Sequence, residues 1–155
     1  AKGIADEYFK DNPSPLISYQ LYARYKITNK DDIISFYIDY YQFTGGAHGI
    51  TNRVAYNIDV ATGNELKLED IFKKDFLYKD VINNEISRQI KKDPDRYFTG
   101  KDGFNGINEN QNFYIKNNKL VIYFELYEIA PYASGISEFV IPNKIIKENM
   151  KFYEV

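Results

Sequence analysis

The amino-acid sequence predicts an α+β fold: a mainly antiparallel sheet of about six strands, with a central amphipathic helix and a C-terminal helix packed on it. Three observations lead there. Stretches alternating between apolar and polar residues recur along the chain, one long segment keeps a helical period, and rings dominate the apolar content. There are 15 Tyr and 11 Phe against one Met and no Trp. Aromatic and β-branched side chains fit the half-buried surface of a pleated sheet.

The elements follow in order. Ile4, Ala5, Tyr8 and Phe9 share one helical face, and Asp11-Asn12-Pro13-Ser14-Pro15 ends that pattern. From Ile17 to Thr28 the residues Ile17, Tyr19, Leu21, Ala23, Tyr25 and Ile27 alternate with polar ones, predicting a strand with the apolar set on the core. A polar turn at Asn29 to Asp32 leads into a second strand, Ile33 to Phe43, and the two form an antiparallel hairpin. Asn52 to Val60 supplies a third strand, followed by a turn at Ala61 to Asn64 and a short helical turn from Leu68.

Asp75 is a candidate N-cap for the main helix, along which Val81, Ile82, Ile86 and Ile90 recur until Asp93-Pro94. The glycine-bearing stretch from Asp95 to Asn112 predicts a long loop. Asn117-Asn118 can take the positive φ angles of a tight hairpin turn between strands at 113–115 and 120–126. Ile136 to Ile141 is the last strand, and Pro142 opens a helix through Ile145, Ile146 and Met150.

At 155 residues, without a repeat or a low-complexity linker, the chain is expected to form one compact domain over 1–155, burying roughly two thirds of its unfolded surface. The 22 acidic and 20 basic residues give a formal charge of -2, too weak a field to attract nucleic acid. Zero cysteines exclude a disulfide framework and a thiolate metal site. No apolar run reaches the ~20 residues that span a bilayer. Ala1 in first place predicts a mature or trimmed chain whose targeting segment, with a membrane anchor as one option, lies upstream.

Two segments are candidate sites. In Thr44-Gly45-Gly46-Ala47-His48-Gly49 the single histidine sits among glycines, where backbone can approach a ligand. One His makes a poor metal site, and a structural role is favoured, with its ring nitrogens bonded to backbone. Thr44, Gly45, Gly46 and Gly49 are read as a structural motif rather than a phosphate cradle, because no Gly-Lys-Ser/Thr follows. No metal and no cofactor are expected. In Tyr127 to Gly135, the residues Tyr127, Glu128, Pro131 and Tyr132 are candidate ligand contacts together with His48, and Gly135 belongs to the structural set. Ser134 lacks a nucleophile elbow. Carboxylate pairs drawn from Asp39, Glu125 and Glu128 are read as solvated surface.

Three stretches then carry a family resemblance: Tyr40 to Gly49, Asn57 to Phe72, and Tyr127 to Gly135. They resemble the extracytoplasmic domain of the RsiV-type anti-sigma factors, found also ahead of the catalytic domain in PdaC-type peptidoglycan deacetylases. The resemblance implies two consecutive pieces, here 1–49, shortened at its start, and 50–155. It implies a non-catalytic binding or sensor module at the bacterial cell wall, facing outward, with lysozyme or peptidoglycan as partner. A wall-modifying hydrolase or deacetylase accessory domain using His48, or a structural spacer, is the alternative.

Overall fold

The computed structural model describes residues 19–152. The helix expected near the start of the chain and the first strand's opening residues lie outside that range. Six strands form two antiparallel three-stranded sheets, in the orders β1-β2-β3 and β4-β5-β6. The first contains β1 (Gln20–Lys30), β2 (Ile33–Phe43) and β3 (Ile50–Asp59). The second contains β4 (Phe113–Lys116), β5 (Lys119–Phe124) and β6 (Ser137–Val140). The α+β class and six antiparallel strands are as the sequence predicts, but the strands divide between two layers.

The second sheet is buried on both faces. On one, Ile115, Leu120, Ile122 and Phe139 pack against Ile82 and Ile86 of α1 (Tyr78–Ile90) and against Leu68, Ile71 and Phe72. On the other, Tyr114, Val121 and Tyr123 meet Tyr37 of β2. Asn117 and Asn118 close the β4–β5 hairpin at φ 48° and 59°, as their sequence requires.

The first sheet runs against its sequence pattern. Its polar face turns inward onto β4, and the side chains of that face replace a neighbouring strand. Thr28 Oγ1 donates to Ile115 O at 2.5 Å, Ile115 N donates to Ser35 Oγ at 2.9 Å, and Asn57 Nδ2 donates to Phe113 O at 3.1 Å. Ser35 Oγ also donates to Asn57 Oδ1 at 2.7 Å, so the buried network is continuous. The apolar set of β1, expected on the core, is exposed: Leu21 by 66% and Tyr25 by 75%. Period two identifies two faces but does not say which one the rest of the chain will cover.

Two helix expectations need correction. Asp75 sits at φ 67°, which an N-cap does not adopt, and α1 begins at Tyr78 with no side-chain cap. The C-terminal helix is only α2 (Asn143–Ile146); a 3-10 turn over Lys147–Asn149 follows, and Met150 is extended and bridges Phe72. The loop from Asp95 to Asn112 holds two 3-10 turns and is pinned to α1 where Ile107 N donates to Asn83 Oδ1 at 2.8 Å.

Candidate functional site

Between β2 and β3 the chain reverses through Thr44 to Gly49. Gly45 and Gly46 both stand at φ 101°, a conformation that side-chain-bearing residues avoid. Gly49 is buried under the Tyr41 ring, into which any Cβ would project. A side chain would thus be strained at Gly45 and Gly46 and would clash at Gly49, and Thr44 is exposed beside them. His48 is exposed. Its Nδ1 lies 3.2 Å from Gly49 O, and its Nε2 points away from the backbone towards the Tyr127 hydroxyl, 3.5 Å distant. Only one nitrogen thus meets backbone, so the expectation of a fully backbone-bonded histidine is corrected.

The second segment arrives from the end of β5. Tyr127, past the end of β5, takes φ 67° and is 50% exposed. Glu128, also exposed, accepts a bond from Glu125 N at 2.8 Å. Ile129 and Ala130 are buried and anchor the segment, while the exposed Pro131 opens a 3-10 turn over Tyr132–Ser134 that Gly135 leaves at φ 71°. Ser134 Oγ donates to Arg96 O at 3.1 Å, which ties the turn to the neighbouring loop.

Both segments meet at Tyr132. Its ring stacks on His48 at a centroid distance of 3.8 Å and an angle of 18°, its hydroxyl donates to Gly49 O at 2.7 Å, and Tyr127 lies 5.7 Å from it. His48, Tyr127 and Tyr132, separated by some 80 residues of sequence, thus form one aromatic surface. Pro131 precedes Tyr132 in extended backbone, and Glu128 stands next to Tyr127 without a bond to the rings among the contacts described.

Tyr132 also borders a groove of about 480 Å³, lined on the far side by Asp39, Thr51, Arg53 and Glu138. Arg53 is the centre that sequence reading did not single out. Its side chain, 8% exposed, is gripped by Asp39 through two bonds of 2.7 and 2.9 Å, contacts Glu138, and lies 3.7 Å above the Tyr37 ring. Burial opposes its charge, but Asp39 and Glu138 outweigh that and raise its affinity for the proton. Glu125 accepts from Arg53 N at 3.2 Å; burial, with Glu128 and Asp39 nearby, raises its pKa against the pull of Arg53. Asp39 and Glu125 are therefore partners of a buried arginine and not solvated surface. The available signal was register, since Asp39 and Arg53 face each other on paired strands. Among the described residues, no three His, Cys, Asp or Glu are grouped to hold a metal ion, and no helix is long and apolar enough to cross a membrane.

Residues 1–51 match a family model described as "Deacetylase PdaC", and residues 69–144 match "Protein of unknown function (DUF3298)". One relative matches across both pieces of this chain. The anti-sigma-V factor RsiV of Bacillus subtilis is 30% identical over 92% of this chain. This chain belongs to the RsiV and PdaC domain family. Peptidoglycan-N-acetylmuramic acid deacetylase PdaC of the same organism is 28% identical over 85% of the chain. The chain spans 57% of the length of RsiV and 29% of that of PdaC. A crystal structure of a DUF3298-family member from Bacteroides fragilis superposes with a TM-score of 0.69 at 26% identity, covering 96% of this chain and 61% of that one. One from Pseudomonas aeruginosa gives 0.64 at 19% identity, with 96% and 69% covered, and supports the fold alone.

Proposed function

We propose that this chain is a non-catalytic recognition module acting outside the cytoplasm at the bacterial cell wall, and that the surface of His48, Tyr127 and Tyr132 contacts its partner. The observation that carries this reading is the joining of two distant motifs into one aromatic surface beside a groove, with His48 and Tyr127 exposed and Tyr132 half-buried between them. Exposed tyrosines give large contact area at low entropic cost and recur at the centres of interfaces. Glu128, exposed on the same segment as Tyr127, adds a negative charge beside the rings, which favours a basic protein partner, such as the lysozyme of the family resemblance. Peptidoglycan is the second reading: one relative is named for a deacetylase acting on it, and tyrosine rings also suit sugar faces.

In this reading 1–155 is one domain, because β3 of the second piece completes a sheet whose other strands belong to the first. The carboxylates near the groove have structural partners, which favours binding over catalysis. Retention of the purified chain on immobilised lysozyme and on insoluble peptidoglycan tests the proposal. Binding to one of them is expected, without turnover of wall fragments. Retention by neither removes both partners, and turnover abolished by His48→Ala removes the non-catalytic reading.

A further inference from the structure

The aromatic surface borders two grooves. Tyr132 lines the one that holds Arg53, and Tyr127, 5.7 Å from it, lines a second of about 480 Å³ together with Glu128, Phe98, Lys101, Asp102 and Gly103. The loop side of this second groove is pinned, although it has little regular structure. Asn105 Nδ2 lies within 3.3 Å of the carbonyl oxygens of Gly100, Lys101 and Gly103, and Gly103 passes so close to Phe98 O that no Cβ fits between them. Phe98 N donates to Ile129 O at 2.9 Å and Arg96 Nη2 donates to Ser134 O at 2.8 Å, which fastens the loop to the segment carrying both tyrosines. The groove is thus formed without a partner, and little ordering entropy opposes binding there.

The two grooves differ in charge. Asp39 and Glu138 are taken up by Arg53, whereas Asp102 and Glu128 are exposed and neither lies within ion-pair distance of a cation among the described residues. Against these two carboxylates, Lys101 leaves the second groove one negative charge in excess. Phe98, half-buried, and Tyr127 supply ring surface on which the stem of a long cationic side chain can lie.

We infer that the recognition surface continues past Tyr127 into this groove, which receives a lysine or arginine side chain of a basic protein partner, with Asp102 and Glu128 as counter-charges. The inference rests on the proposed function and narrows it to a protein. Sugar hydroxyls can bond carboxylates but do not neutralise them, whereas a cation does both.

Titrating lysozyme with the full chain tests this through exposed residues alone. Asp102→Lys is expected to weaken binding about tenfold at low salt and Lys101→Glu to strengthen it several-fold, both effects shrinking as salt rises. Asp32→Lys alters the net charge as much as Asp102→Lys but at the other end of β2 from His48, and should stay within about twofold of wild type. Unchanged affinity in both loop variants while Tyr127→Ala weakens binding would overturn the inference and keep the aromatic surface. Unchanged affinity in all three would remove both. Equal losses for Asp102→Lys and Asp32→Lys would reduce the effect to net charge and overturn the inference, as would a wild type retained by peptidoglycan and not by lysozyme.

Discussion

The two sheets have the same number of strands and the same antiparallel order, yet they are stabilised in opposite ways. The second is apolar on both faces and enclosed between α1 and the first sheet. The first turns polar side chains inward, where Thr28, Ser35, Asn57 and Arg53 bond the edge and surroundings of β4, and directs its apolar residues outward. Burial area therefore governs one sheet, while satisfied hydrogen bonds and one ion cluster govern how the other is attached. A loss of packing and a loss of a polar partner should leave distinguishable marks on stability.

The largest effect is expected in the second sheet. Ile122→Ala removes a side chain with 0% exposure and should cost about 3 kcal/mol, seen as a thermal midpoint lower by on the order of 10 °C. Ile34→Ala, on the outward face of the first sheet and far from the row of Leu21, should cost less than about 1 kcal/mol in the same melt. Equal losses would contradict the contrast between the sheets.

Arg53→Met should cost about 2 kcal/mol by leaving Asp39 and Glu138 without their cation, a value held below that of an enclosed pair because both carboxylates are partly exposed. Adding Asp39→Asn should recover part of it in a double-mutant cycle, and additivity would mean the pair is not coupled. Ser35→Ala strands Ile115 N and should cost about 1 to 2 kcal/mol by denaturant melt, with no change in binding.

The smallest effect is on pH dependence. The folded-state pKa of Glu125 is raised, so its contribution to stability is fully present below the ordinary carboxylate value and is lost as pH rises through the raised one. Glu125→Gln keeps an acceptor for Arg53 N and should flatten this decline in melts across the acidic range. An unchanged slope would place the titration elsewhere.

Much of this was legible in the sequence. The alternation of β1 and β2, the helical period of Val81 to Ile90 and the Asn117-Asn118 turn are local properties, and they located the elements. What depends on a distant surface was not legible. Leu21 and Tyr25 look like core residues until β4 is seen to pack on the other face, and Ser35 in mid-strand gives no local hint that it will bond Ile115. Asp75 lost its capping role because the backbone leaves it in a left-handed turn. His48 and Tyr132 were each visible as candidates, but their stacking joins residues 84 positions apart and is set by the tertiary fold.

Tyr127 offers the most direct test of the proposed recognition surface, because its ring is half exposed and its removal leaves the bond from Tyr132 to Gly49 in place. Lysozyme or peptidoglycan, whichever retains the wild-type chain, would be titrated with wild type and Tyr127→Ala at matched thermal stability. An affinity lower by about thirtyfold, the loss of one central interface tyrosine, is the expected result. Full affinity in the folded variant would contradict the assignment of this surface.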